Sequence, residues 1–305
     1  MLIGAARLLS ARVAELEGDV VFAFQPGEEN WGGAKVMLSE GLLDAAGVPI
    51  CAALGIHVFA ADFVSGTFSF RPALVISAPT AFDVTFRGAG RYGSSPQKAV
   101  DPIPAAASFV TSPYTASTRT FGMHDQAVVT IGHLAAGDVG NVIPTTATIR
   151  GTARSVDRSL QERMRRLIDR VADGVARAHG VEVDVDLEDV TLPVISDDEE
   201  TAFAMRIVAD ACGEDRVALL PLPSPASDDF SWILDEFPGV FAFLGAGVSD
   251  DHEGQEPDNH SPNVRFDDSV VTIGAWFEAE WALKRLRYRP PLATMPAAAA
   301  RLSVR

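Results

Sequence analysis

The chain has 305 residues, 47% of them hydrophobic, which is enough for two domains and a sizeable core and excludes disorder or a small disulfide-stapled fold. Lys and Arg number 25 against 41 Asp and Glu, a net charge of −16 that repels phosphate backbones and anionic lipid, so nucleic acid is not an expected partner. No run of about 18 apolar residues occurs, so no membrane span is expected. The two cysteines, Cys51 and Cys212, lie in apolar sequence surroundings and read as reduced structural thiols, the usage of a cytoplasmic protein.

In chain order, residues 1–17 place Leu2, Ala5, Ala6, Leu9, Val13 and Leu16 at three- and four-residue spacing, an amphipathic helix rather than a signal peptide. It has no capping residue and no strand before it, and reads as a start in the middle of a domain. GDVVFAFQ is a β-branched and aromatic run expected to be a buried strand, stopped by Pro26-Gly27. PGEENWGGAKVMLSEGLL follows with two acids, a Gly-rich turn and a helix, and ICAALGIHVF reads as a second buried strand ending in His57. This alternation predicts an α/β domain with a mostly parallel sheet and flanking helices.

From about Ser77 the strands become alternating, and the pattern to residue 190 is β-α-β-β-α-β, with its strongest helix at SLQERMRRLIDRVADGVARAHG. That is a ferredoxin-like α+β unit inserted into the larger domain. The first rhythm then returns with helix TAFAMRIVADACG, strand GVFAFLGAG and a last helix over RFDDSVVTIGAWFEAEWALKRL. The expected boundaries are a catalytic domain at 1–77 and 191–288, the inserted domain at 78–190, and a disordered tail at 289–305.

Ligands of open parallel sheets sit beyond the carboxyl ends of strands, and three such places carry metal-type side chains: Glu28-Glu29, His57 and His260. A spare acid beside a ligating one suits a general base acting on an activated water. Each has a plainer competitor. Paired acids before a helix complement its dipole, a histidine at a strand end is ordinarily a structural hydrogen-bonder, and His260 in DNHSPN suits a turn. Joint placement at three strand ends favours a metal site without deciding it. His124, His133, His179 and His252 have no such placement.

FAFQPGEE with GGAKVMLSEGLL, LGIHV, VDPIPAAASFV, GNVIPTTATIRGTARSVD, SDDFS and NHSPNVRFDD occur in an order that resembles the M20 metallopeptidase family, in its amidohydrolase branch of hippurate, N-acyl-amino-acid and auxin-conjugate hydrolases. The resemblance implies a zinc-exopeptidase-like fold whose inserted domain dimerises and acts as a lid, two divalent ions per subunit (Zn, Mn or Co), a small N-acyl amino acid as substrate, and a homodimer. It implies that Glu28 is the general base, that Glu29, His57 and His260 are metal ligands, and that Asn141 faces substrate; the role of Arg154, in a GTxR pattern, stays open. Two departures stand out. The family's upstream Cys-Gly-His-Asp-Gly-His motif is not in this sequence, and Tyr92 and Gln97 occupy the lid's two expected histidine positions. The alternative is a non-catalytic relative that binds a ligand as a dimer, and impaired turnover is the expectation for the chain as given. An exopeptidase of the same superfamily is a third option.

Overall fold

Apolar periodicity builds most of the elements where the sequence suggests them. The computed structural model describes residues 1–45, 47–248 and 257–288. Helix α1 spans Leu2–Ala11, α2 Glu28–Trp31 and α3 Gly33–Ser39; strands β1 Ala53–Phe59, β2 Phe68–Phe70 and β3 Ala73–Ile76 follow. Then come β4 Ala78–Arg87, β5 Arg91–Tyr92, α4 Pro102–Thr120, β6 Val128–Ala136, β7 Val142–Ile143, β8 Thr146–Ser155, α5 Arg158–His179 and β9 Glu182–Asp189. The chain closes with β10 Val194–Ser196, α6 Asp198–Cys212, β11 Val217–Leu219, α7 Ser231–Glu236, β12 Gly239–Gly245 and α8 Val270–Arg287. The expected tail at 289–305 and His252 lie outside the described residues.

Two compact units emerge, the first from residues 1–75, 194–224 and 229 onward, the second from 76–193 with 225–228. In the first, four strands run in the order β1-β12-β2-β11, with β1 parallel to β12, β2 parallel to β11, and β12 antiparallel to β2. Every residue of β12 is buried, as its unbroken apolar run requires. Phe68 and Phe70 of β2 pack on Phe277 of α8, with Ala5 and Leu9 of α1 and Ile207 and Val208 of α6 in the same core. Truncating one such phenylalanine to alanine typically costs about 3–5 kcal/mol.

Two expectations fail here. GDVVFAFQ forms no strand: residues 19–25 carry no ladder and Phe24 is exposed. A β-prone run becomes a strand only when another backbone accepts its hydrogen bonds, and among the described residues none does. Cys51 is exposed, because it precedes β1 rather than lying within it; Cys212 is half-buried.

The second unit is an antiparallel sheet in the order β6-β8-β4-β9, with α4 and α5 packed together and against its strands. Asp101 caps α4 by accepting from Ile103 N at 2.9 Å, and Asp157 caps α5 by accepting from Leu160 N at 2.8 Å. Met164, Leu167, Ile168 and Ala172 of α5 face Phe82, Val84 and Phe86 of β4 in one buried cluster, which is why the helix with the clearest apolar stripe is also the best packed.

Two acids of the first unit are withdrawn from water, Glu200 fully and Glu278 in part. Glu200 of α6 accepts from Arg285 Nε of α8 at 2.7 Å, both side chains less than a tenth exposed; burial raises the carboxyl's pKa while the guanidinium opposes the rise. Glu278, also on α8, has an Oε2 with no hydrogen-bond partner among the described residues, and partial burial pushes its carboxyl from an ordinary 4.5 up to about 7, the Met1 ammonium offsetting part of this. A carboxyl with a raised pKa in the fold favours the folded state fully below its unfolded pKa, and that contribution is lost as pH rises through the folded value. Chemical denaturation across pH 4–8 is therefore expected to show stability falling between about 4.5 and 7. The loss should be on the order of 2 kcal/mol after discounting for solvent contact, and Glu278→Gln should flatten it.

Candidate functional site

Glycine geometry fixes the turn that carries the paired acids. Gly27 at φ +68° and Gly32 at φ +61° bracket α2, and a Cβ on Gly33 would meet the Pro26 carbonyl oxygen at 1.6 Å. Only glycine allows that approach, so the chain doubles back around one helical turn and sets Glu28 and Glu29 at its start, where free N–H groups favour carboxylates. Asp229, 1% exposed, braces the turn from both sides. Its Oδ1 accepts from Gln25 Nε2 at 2.5 Å and its Oδ2 from Ala34 N at 3.0 Å. Carboxylate oxygens of Glu28 and Asp229 come within 4.8 Å of one another.

His57 lies on β1, its ring stacked on Phe59 at 4.5 Å between centroids and edge-on to Phe243 and Phe241. Burial lowers its pKa, the Val58 carbonyl and the Glu29 charge pull it back up, and His260 pushes it down again. Its Nδ1 lies 3.0 Å from the Val58 carbonyl oxygen. That carbonyl also accepts from Asn259 Nδ2 at 2.6 Å, while Asn259 Oδ1 accepts from Ala60 N at 2.9 Å. Asn259 thus clamps the end of β1 and delivers the next residue, His260, whose Nδ1 stands 3.9 Å from Glu29 Oε1.

This donor set fits a divalent ion. Donors bound to one zinc at about 2.0–2.2 Å stand roughly 3–4 Å apart, the spacing at which Glu29 and His260 lie. With Nδ1 donating to a backbone carbonyl, the neutral His57 ring keeps its Nε2 lone pair, the outer contact that orients a ligating imidazole. Glu29 and His260 are both largely exposed, and His57 senses both charges.

Asn141 and Tyr92 belong to the second unit. There β5 pairs with β7, Arg91 opposite Ile143 and Tyr92 opposite Val142, and Gly93 N donates to the Asn141 carbonyl at 2.8 Å. Tyr92 and Asn141 are exposed, and Gln97 sits on the short turn Pro96–Lys98. Arg154 donates from Nη1 to the Pro225 carbonyl at 2.8 Å and the Ala226 carbonyl at 3.5 Å, holding a loop of its own unit.

Sequence reasoning assigned no role to Asp229 or Asn259. Asp229 lies some two hundred residues from the turn it braces, so its only local signal is a doubled acid ahead of an apolar turn. Asn259 is the polar neighbour of a singled-out histidine in a segment readable as a simple turn.

The model of Peptidase family M20/M25/M40 matches residues 1–284. An N-acetyl-L-cysteine deacetylase of Bacillus subtilis is 30% identical over 93% of this chain and 65% of its own length. An IAA-amino acid hydrolase (ILR1-like 5) of Arabidopsis thaliana is 32% identical over 94% and 65%, and a hippurate hydrolase of Campylobacter jejuni 27% over 94% and 72%. The chain thus spans about two thirds of the length of these curated relatives. Among solved structures, one from methicillin resistant Staphylococcus aureus superimposes with a TM-score of 0.83 at 28% identity, covering 92% of this chain and 70% of that one. A Bacillus subtilis protein described as a dinuclear metal binding peptidase from the M20 family gives 0.72 at 26%, covering 94% and 70%.

Removing the Asp229 carboxylate leaves the Gln25 amide and the Ala34 N–H without their acceptor. Asp229→Ala is expected to cost about 2–4 kcal/mol, one to two for each stranded donor, and Asp229→Asn less, since one acceptor oxygen survives. Urea unfolding midpoints of the two variants check the order.

Proposed function

The chain belongs to Peptidase family M20/M25/M40, and on that premise we propose that it hydrolyses the amide bond of N-acyl amino acids or similar conjugates with the help of divalent metal. The observation that carries this is the glycine-framed turn presenting Glu28 and Glu29, with His260 3.9 Å from Glu29 and the neutral His57 within reach of both charges. Deacylation of small acyl amino acids is the activity in the names of the relatives above, and this chain matches them over more than nine tenths of its length.

Glu29, His57 and His260 would hold metal, zinc, manganese or cobalt, and in a second position a further ion in the dinuclear manner named for the Bacillus subtilis structure. Bound there, such ions polarise the scissile carbonyl and make water acidic enough to attack at neutral pH. Glu28 supplies the proton chemistry: its carboxylate accepts the water proton and returns it to the departing amine nitrogen. The brace from Asp229 keeps that carboxylate where the turn sets it. Asn141 is assigned to substrate through its side-chain amide. The free cysteines suit a cytoplasmic setting, and among the described residues no helix is long and apolar enough to cross a membrane.

Assembly as a homodimer through the inserted domain belongs to the same reading. Strand β6 is an edge of the antiparallel sheet and exposes Val128 and Leu134, and an edge of that kind calls for cover.

Hippurate and acetylated amino acids, with added Zn²⁺, Mn²⁺ or Co²⁺, form the activity test. Turnover is expected to fall by roughly 10²–10⁴ in Glu28→Gln with metal content intact, and metal content measured by elemental analysis to fall in His260→Ala. Turnover retained in Glu28→Gln would remove it as base. Light scattering at micromolar protein is expected to return a dimer, and a monomer there would count against β6 as the interface.

A further inference from the structure

Trp31 is the most exposed aromatic side chain among the described residues, at 83%. It closes the single turn α2, between two left-handed glycines, and its Cβ sits against Gly27, where an added Cβ would approach it to 3.0 Å. Among the described residues no hydrogen bond, ring contact or cation holds the indole. A tryptophan buries more apolar surface than most side chains when it finds a partner, and folding gains nothing from leaving one in water.

Its position on the turn says what that exposure serves. Residues three apart on a helix are neighbours on one face, with Cβ atoms about 5–6 Å apart, and Trp31 is three residues after Glu28. Trp31 therefore shares a face with Glu28, the carboxylate assigned above to proton transfer. A ligand whose amide is within reach of Glu28 can lay one of its two ends on this indole. The amino-acid end carries a carboxylate, which an indole can neither hydrate nor pair. The uncharged acyl end is what the indole can cover.

We propose that Trp31 is a specificity-determining residue that packs against the acyl group and gives the protein a preference for aromatic over acetyl conjugates. This rests on the amide-hydrolase reading above and refines it by naming the acyl class.

Isothermal titration of the full chain carrying Glu28→Gln, which slows turnover, tests it with two probes that differ only in the acyl group, benzoylglycine and N-acetylglycine, at fixed Mn²⁺. The parent is expected to bind benzoylglycine about tenfold more tightly. Adding Trp31→Ala should bring the two affinities within about twofold by weakening the benzoyl ligand alone, and Trp31→Phe should keep most of the preference. With its side chain in water, Trp31→Ala leaves the core untouched, and far-ultraviolet circular dichroism confirms the fold. Equal affinities in the parent, or a preference unchanged in Trp31→Ala, would overturn the assignment of Trp31 while leaving amide hydrolysis standing. Failure of the parent to bind either ligand would overturn both.

Discussion

The site depends on one buried carboxylate. Asp229 is 1% exposed, and its two oxygens are taken by Gln25 and by the backbone of Ala34, on either side of the turn that holds the paired acids. A carboxylate withdrawn from water must be met by hydrogen bonds or it destabilises the fold. Meeting it here forces a segment near the chain's start and a loop two hundred residues later into one arrangement. The glycines make the turn sterically possible; Asp229 ties its two sides together. The same logic operates on the other side, where the Val58 carbonyl accepts both from the His57 ring and from Asn259. Catalytic candidates on exposed turns are thus oriented from behind by polar groups bonded to backbone.

Much of this could be read from residue order, because the dominant signals are local. The stripe of α5 and the unbroken apolar run of β12 each state their own burial, and the change from continuous to alternating strands marks the second unit. Glu28, Glu29, His57 and His260 could be singled out because each follows or ends a strand-like run. What sequence could not supply is pairing. GDVVFAFQ has every residue preference of a strand, yet strand formation belongs to two backbones, and local preference is silent about the second. Asp229 and Asn259 escaped for a related reason, since their meaning lies in contacts that span about two hundred positions. Cys51 was misplaced by an apolar neighbourhood in sequence that its position ahead of β1 does not turn into burial.

The buried pair of Glu200 and Arg285 ties α6 to α8 in the same core that carries α1, and it is costly to lose by halves. Either residue alone would leave an uncompensated charge out of water, typically about 3–5 kcal/mol, whereas an apolar pair of similar volume could replace both with little loss. Substitutions at these two positions are therefore expected to be coupled.

The far edge of the inserted sheet carries its own instruction. Along β9, Glu182, Asp184, Asp186 and Glu188 project to one side while Val183, Val185 and Leu187 pack inward. Two copies meeting along this edge would set a row of carboxylates against its duplicate, and the repulsion would outweigh the ladder gained. The edge at β6 has no comparable row of acids. A sheet that can be extended from one side only, by a two-fold operation that consumes that side, stops at two. In a strongly acidic protein, that row of four acids would keep a dimer built on β6 from growing into a fibre.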